Sequence, residues 1–508
     1  MIRERESRKM AIKVIMLVVF FAVMIGVGLY CRKSATDVNG FVLGGRNVGP
    51  WLTAFAYGTS YFSAVIFVGY AGQFGWKFGV ASTWVGIGNA IIGSLLAWVI
   101  LGRRTRIMTQ HLESKTMPEF FGQRFDSKML KIVASIIVFI FLIPYTASLY
   151  NGLSRLFGMA FNLDYSVCII VMAVLTGIYV IAGGYMATAM NDFIQGIIMI
   201  IGIIAVIAAV LNSNGGFVEA YKSLAEIQDP TASDMPGAFA SFLGPDPLSL
   251  FGVVILTSLG TWGLPQMVQK FYAIKDEKAI ERGTIISTIF AVIVAGGCYF
   301  LGGFGRLYDI DVAKVGFDAV VPTMLEDLSP FLMAVVIILV LSASMSTLSS
   351  LVLTSSSTLT LDLIKGTVVK EMSEKKQVFI MRVFVVIFIA ISAVIAMFQY
   401  KSNVSFIAQF MGISWGALAG AFLAPFIYSL YWKKVTKFSV VVNFLFACGV
   451  MTANMLVKPS FPVLLQSPIN CGAFTMLAGL IIVPVVSLIT PKLKADKVDE
   501  VFKCYEGK

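Results

Sequence analysis

The chain has 508 residues, 58% hydrophobic and 13% charged, with a mean hydropathy of +0.85 and a formal net charge of +11. A water-soluble protein of this length could not solvate so apolar a composition, so most of its surface must face lipid. The positive charge suggests nucleic acid only until it is mapped: the basic residues lie between apolar runs, with no helix–turn–helix pattern, RNP-type aromatic run or zinc-knuckle spacing.

The sequence reads as apolar runs of about 20 residues, each enough to cross about 30 Å of hydrocarbon as a helix, and lacks the short alternating segments of a barrel. Thirteen spans are predicted, near 10–30, 51–72, 80–101, 131–158, 165–183, 186–211, 247–272, 283–305, 330–360, 381–399, 405–431, 438–457 and 469–490. The first is too long for the core of a signal peptide, and Cys31-Arg32-Lys33 follows where small residues should mark a cleavage site. It is read as a retained, extra N-terminal span.

Span 2 is interrupted by the polar stretch Tyr57-Gly-Thr-Ser-Tyr-Phe-Ser63. Span 7 is interrupted by Leu259-Gly-Thr-Trp-Gly-Leu-Pro265. The two breaks lie five spans apart, and an odd offset inverts topology. Residues 51–211 and 247–431 can therefore form two inverted repeats, with 438–490 as two C-terminal spans, 491–508 as a cytoplasmic tail, and 1–508 as one membrane transport domain. Broken spans expose carbonyls and helix ends to a cavity, which is how secondary transporters hold ions and solutes. The bland alternative is that glycine and proline are common in membrane helices anyway.

The loops after spans 1, 3, 7, 9 and 11, with the tail, carry 24 Lys and Arg. The opposite side carries far fewer, among them Lys77, Lys222, Lys314, Lys401 and Lys458. This bias predicts a multi-pass protein of the cell membrane with the C-terminus in the cytoplasm and the N-terminus outside. The N-terminal cluster Arg3, Arg5, Arg8 and Lys9 opposes that orientation and is outweighed by the summed loops. The cluster Arg103, Arg104 and Arg106 reads as a cytoplasmic anchor, and Arg155 as a snorkelling structural residue. Six scattered cysteines without a CxxC read as packing residues, and the single histidine, His111, argues against zinc proteases and histidine proton relays.

Span 9 contains Leu341-Ser-Ala-Ser-Met-Ser-Thr-Leu-Ser-Ser350. Ser346 shares a helix face with Ser349 and Ser350, and neutral hydroxyls with carbonyls suit a hard cation such as sodium (compare the oxygen preference in). The competing reading is that these hydroxyls bond back to their own helix or permit close packing. Asp192, early in span 6, is costly in a membrane unless partnered, so it is a functional candidate, with interfacial capping as the alternative.

The chain resembles the sodium/solute symporter family, which includes the sodium/proline and sodium/glucose cotransporters. The resemblance runs from about Phe41 to Tyr431 and rests on Phe41-Val-Leu-Gly-Gly-Arg46 with Gly49-Pro-Trp51, Ser63-Ala64 with Phe67 and Gly69, Met117-Pro-Glu-Phe-Phe121, Ala182-Gly-Gly184, Asp192 with Gln195, and Met345-Ser-Thr-Leu348. Tyr185 departs from the Leu, Met or Phe that the family prefers after the glycines. The look is closest to the sodium/proline branch.

This resemblance implies an all-α polytopic membrane protein with a ten-helix inverted-repeat (LeuT-like) core. It implies a main sodium site made by the carbonyls of Thr59, Phe62 and Ala343 and the hydroxyls of Ser346 and Thr347. Some members bind a second sodium, and its ligands would here be Asp192, Ser349 and Ser350, sharing Ser346; the coupling ion is thus one or two sodium ions. Proline carriers have an aspartate where this chain has Tyr61, and their tryptophans fall at Thr257 and Val65, while their span 4 tyrosine is kept as Tyr145. The amides and glutamate of sugar carriers correspond to Tyr61, Ser258 and Thr83. Tyr61, Ser63, Tyr145, Ser258, Thr261 and Trp262 would form an uncharged pocket of hydroxyls and aromatic faces.

The expected function is sodium-coupled import of a small organic solute, an amino acid or small carboxylate, by alternating access. The expected partners are that solute, sodium and the lipid bilayer, with no nucleic acid and no obligatory protein partner. A proton-coupled carrier using Asp192, or a sodium symporter of a neutral sugar-like solute, are the alternatives. An enzyme lacks a nucleophile–base pair or a metal motif, and a channel lacks a repeated filter sequence.

Overall fold

Within hydrocarbon every backbone N–H and C=O must be satisfied by the chain itself, and consecutive apolar residues do this as helices. The computed structural model is accordingly helical throughout, apart from three isolated bridges among the described residues. It describes residues 2–161, 164–230, 232–365, 368–369, 371–401 and 407–506. The side chains of Arg3, Arg5, Arg8, Lys9 and Arg155 lie outside the described residues, as does Lys401.

Among the described residues ten helices are long and apolar enough to cross a bilayer, or eleven if a pair bent by 45°, Pro247–Gly263 and Pro265–Ala273, counts as one span. This differs from the thirteen expected. Two of the ten runs, Val65–His111 and Tyr165–Ser213, hold 47 and 49 residues, about 70 Å at 1.5 Å per residue against a core of about 30 Å. Each is interrupted by one glycine outside helical geometry: Gly79 at φ 59°, ψ −142°, and Gly184 at φ 54°, ψ −144°. An L side chain rarely adopts such a φ, so the chain turns there without a loop.

Seven helices carry the site. They are α1 (Pro50–Tyr61), α2 (Lys128–Phe161), α3 (Tyr165–Ser213), α4 (Pro247–Gly263), α5 (Pro265–Ala273), α6 (Pro330–Thr358) and α7 (Ile407–Tyr431). Proline at the first position and a β-region cap start α1, and α1 stops at Phe62, whose ψ of 123° leaves the helical region. Leu264 makes the same extended break between α4 and α5, with Pro265 opening the second half. α6 is buried from Met345 onward along its whole length and packs against α1, α2 and α3. α7 packs against α2 and α4. The N-terminal helix Ile2–Tyr30 sits outside this group against α3, with Val14, Ile15, Val18 and Val19 exposed as lipid-facing residues would be.

The Gly44-Gly45-Arg46 motif has a local explanation. All three residues have positive φ, a tight turn that aims the Arg46 guanidinium at the Ser114 carbonyl (2.5 Å) and the Thr109 carbonyl (3.3 Å). A third bond reaches the Tyr272 carbonyl at 3.4 Å, tying the end of α5 to this loop. Burial pushes the Arg46 guanidinium below its ordinary value. The expected anchor residue Arg104 lies against the rings of Tyr431 and Tyr505, and His111 Nε2 is 2.9 Å from the Glu500 carbonyl, so the C-terminal segment is docked on the bundle. The six cysteines are all free.

Candidate functional site

The end of α1 supplies carbonyls because a helix leaves its last C=O groups without intrahelical donors. Across from them stands α6, whose hydroxyls are not all used alike. Those of Ser344, Ser349, Ser356 and Ser357 donate back to carbonyls of their own helix, at 2.7–3.1 Å. This is the bland behaviour expected of Ser in a membrane helix. Ser346 and Thr347 also reach across to α1.

Thr347 Oγ1 lies 3.1 Å from the Thr59 carbonyl, 3.2 Å from the Phe62 carbonyl and 3.1 Å from the Ala343 carbonyl. Ser346 Oγ lies 3.2 Å from the Thr59 carbonyl and 3.1 Å from the Ala343 carbonyl. Five short oxygen–oxygen contacts thus surround two hydroxyls, and each hydroxyl has one proton to donate. Lone pairs outnumber protons, which makes the cluster attractive to a cation. Oxygens about 2.4 Å from a hard cation stand about 3.4 Å apart when adjacent, so the observed spacings need widen only by tenths of an ångström. All five residues are fully buried. The structure therefore brings Thr59, Phe62, Ala343, Ser346 and Thr347 to one point.

One turn along α6, Ser350 Oγ lies 2.8 Å from Ser60 Oγ and accepts a hydrogen bond from Lys270 Nζ at 3.0 Å. Lys270 is on α5 and is 2% exposed. Asp192, on α3, is fully buried, and neither carboxylate oxygen has a hydrogen-bond partner among the described residues. The charged group acting on Asp192 is Lys270. Ser349 donates to the Ser346 carbonyl at 2.9 Å. Of Asp192, Ser349 and Ser350, only Ser350 is bonded to Lys270, a lysine that sequence reasoning did not single out.

The six expected solute-contacting residues fall into two groups. Tyr61 and Tyr145 both pack on Trp415 of α7, with ring centroids 5.8 and 5.9 Å away. The Tyr61 hydroxyl faces that of Tyr299, and the Tyr145 hydroxyl faces Ser63 and the Trp415 indole, in each case short of a formed hydrogen bond. Polar atoms buried without partners are uncommon and mark where a ligand or water can bind. Trp415 and Tyr299 were not found from sequence; both sit in apolar runs without a break or a motif.

Ser258, Thr261 and Trp262 are instead committed to the helix beside them. Ser258 donates to Asn89 Oδ1 at 3.1 Å, Thr261 to the Gly93 carbonyl at 2.9 Å, and the Trp262 indole to the Ile92 carbonyl at 2.9 Å. Tyr57 shares the Gly93 carbonyl, at 2.8 Å. The groups meet at a gap of about 10 Å³ lined by Tyr57, Tyr61, Asn89 and Thr261, room for about one water. Thr83, also weighed from sequence, has a buried hydroxyl without a partner.

Residues 41–442 match the family model described as the sodium:solute symporter family. The osmoregulated proline transporter OpuE of Bacillus subtilis is 29% identical over 433 residues, 84% of this chain and 85% of that protein. The sodium/proline symporter 2 of Staphylococcus saprophyticus is 28% identical over 436 residues, 83% of this chain and 82% of its own length. A solved structure of a sodium-coupled sialic acid symporter, in a substrate-bound outward-open state, superposes with a TM-score of 0.72 at 16% identity, covering 95% of this chain and 99% of that one. That likeness concerns the fold.

Proposed function

The chain belongs to the sodium:solute symporter family, and on that premise we propose how this sodium-coupled symporter of a small organic solute holds its ion and its cargo. It is a multi-pass membrane transporter and not an enzyme. Sodium binds between the carbonyls of Thr59, Phe62 and Ala343 and the hydroxyls of Ser346 and Thr347. The observation that carries this reading is the convergence of those oxygens within 3.1–3.2 Å, with more lone pairs than protons. One sodium entering across 100 mV supplies about 2.3 kcal/mol, enough for about 50-fold accumulation of a neutral solute.

The solute is a compact amino acid or small carboxylate. It binds beside Tyr61, Ser63 and Tyr145, against Trp415 and Tyr299, while Ser258, Thr261 and Trp262 brace the neighbouring wall. Relatives named for proline support a small zwitterion. Tyr61, Ser63 and Tyr145 carry no positive charge, so the solute's carboxylate takes its counter-charge from sodium and from half-helix N-termini.

The spans number thirteen, with Gly79 and Gly184 dividing the two long helical runs. Residues 51–211 and 247–431 form the two inverted repeats of one transport domain, which works without a protein partner. The N-terminus lies outside the cell membrane and the C-terminus in the cytoplasm. Alternating access uses the breaks at Phe62 and Leu264 as hinges. Uptake of radiolabelled L-proline, other small amino acids, small carboxylates and neutral sugars into proteoliposomes under an inward sodium gradient tests the solute reading. Amino acids or carboxylates should accumulate; accumulation of sugars alone overturns it.

A further inference from the structure

At the end of the bundle where the C-terminal segment docks, three pieces of chain frame a groove of about 610 Å³. They are the start of α2, the start of the helix Lys437–Leu456, and the strap 491–497 that follows the helix Pro468–Ile489. Small-ligand sites commonly measure about 300–1,000 Å³. Hydrogen bonds hold the frame. Thr436 caps Lys437–Leu456 by accepting from the Ser439 N–H at 3.2 Å, and its Oγ1 lies 2.7 Å from Thr490 Oγ1 at the end of the neighbouring helix. One turn earlier on that neighbour, Ser487 Oγ donates to Ser439 Oγ at 2.8 Å. Lys492 donates to the Ser487 carbonyl, which turns the strap back over a helix C-terminus, where a cation is favoured. Beyond the strap Val501 and Phe502 are buried, and Lys433 Nζ is 3.0 Å from Asp499.

The lining combines two chemistries. Lys437, Lys492, Lys494 and Lys497 meet there against a single carboxylate, Asp126. Lys497 is 3.0 Å from Glu500, whereas Lys437 and Lys494 have no carboxylate partner among the described residues. The rest of the wall is apolar: Met129, Phe438 and Val441 line it, with Met129 50% and Phe438 58% exposed. α2 and Lys437–Leu456 are both long and apolar enough to cross a bilayer, so their first turns stand where headgroups give way to hydrocarbon. A soluble anion would answer the lysines and leave the apolar wall uncovered. An uncharged apolar molecule would cover the wall and leave the like charges repelling one another. A molecule with an anionic head and apolar tails satisfies both.

We propose that this groove binds one anionic phospholipid, with its phosphate among the lysines and its acyl chains descending along Met129, Phe438 and Val441. The lysine stems lie along the apolar wall while their ammonium groups reach the headgroup, as long basic side chains do at a bilayer edge. The bound lipid ties the strap to α2, the helix that carries Tyr145. It does so without entering the ion or solute sites, so the proposal stands or falls independently of them.

The test titrates the purified, delipidated full-length protein in detergent with phosphatidylglycerol or phosphatidylcholine and reads lipid bound per chain by native mass spectrometry. Wild type should bind one phosphatidylglycerol more tightly than phosphatidylcholine. Lys437→Gln/Lys494→Gln should weaken phosphatidylglycerol about 30-fold, from about 1 kcal/mol for each lysine, and leave phosphatidylcholine unchanged. Lys375→Gln/Lys376→Gln removes two exposed charges elsewhere and should leave both affinities at wild type. Equal affinity of wild type for the two lipids overturns the proposal, as does an equal loss in the two double variants, which would mean diffuse surface charge. Inorganic phosphate in excess should not displace the lipid, because it makes no use of the apolar wall. Displacement by phosphate assigns the groove to a free anion and also overturns it.

Discussion

Thr347 Oγ1 on the central helix stands 3.1 Å from the carbonyl oxygen of Thr59, at the point where α1 breaks. The same hydroxyl is 3.2 Å from the Phe62 carbonyl beyond the break, so one side chain spans the interruption. Thr347→Ala removes that oxygen and leaves three carbonyls facing one remaining hydroxyl. The sodium concentration for half-maximal uptake should rise about tenfold or more, corresponding to about 1.4 kcal/mol of lost ion binding. Solute affinity at saturating sodium should change far less. Sodium activation curves measure both, and an unchanged curve removes Thr347 from the ion site.

In the proposed solute pocket Tyr61 supplies an aromatic wall and one hydroxyl. Tyr61→Ala should raise the half-saturating solute concentration by about tenfold, within the range of a lost aromatic contact plus a hydrogen bond. Sodium activation should stay close to wild type, because the side chain is absent from the five-oxygen cluster. An unchanged solute profile in the variant would take Tyr61 out of the site.

Gly260 of α4 lies under the Trp415 indole: a Cβ there would come within 2.7 Å of ring carbon Cε3. Trp415 is itself wedged between Tyr61 and Tyr145. Gly260→Ala should therefore shift the indole and disturb both tyrosines, at about 1–3 kcal/mol of overpacking. The expected result is weaker solute uptake with sodium activation preserved, read from the same two curves. Wild-type solute affinity in Gly260→Ala would show that Trp415 does not shape the pocket.

The hydroxyls of span 9 and the break in span 2 were legible as local signals, whereas the five-oxygen set itself was expected only from the family resemblance, through motifs such as Met345-Ser-Thr-Leu348. The breaks at Phe62 and Leu264, and the helices around them, follow from glycine and proline placement in the same way. What escaped was set by tertiary contact. Lys270 falls inside the span expected at 247–272 without any motif to mark it, and only the fold shows it beside Ser350. Trp415 occupies an apolar run like any other. Ser258, Thr261 and Trp262 carry the right chemistry, but their hydrogen bonds go to Asn89, Gly93 and Ile92, a pairing that no spacing reveals. Fewer continuous helical runs than expected spans appear because Gly79 and Gly184 leave helical geometry within runs that are otherwise helical.

Asp192 and Lys270 are both buried, and each is the charged group that acts on the other. Asp192→Asn leaves an uncompensated buried lysine, and breaking such a pair from one side costs about 3–5 kcal/mol when the partners touch. These two are not in direct contact, so a loss of about 1–3 kcal/mol is expected, read as a lower Tm in detergent. Lys270→Met/Asp192→Asn should recover much of it, because neither charge then remains buried alone. Equal and additive losses in the single and double variants would show that the two groups do not interact.

The coupling ion is the central claim, and the driving gradient tests it most directly. Proteoliposomes containing the wild-type chain are loaded without sodium and given an inward sodium gradient at equal pH, or an inward proton gradient in the absence of sodium. Uptake of the transported amino acid or carboxylate should follow the sodium gradient, increase when the interior is made negative, and stay at background under the proton gradient alone. Uptake that follows the proton gradient and ignores sodium would contradict the account.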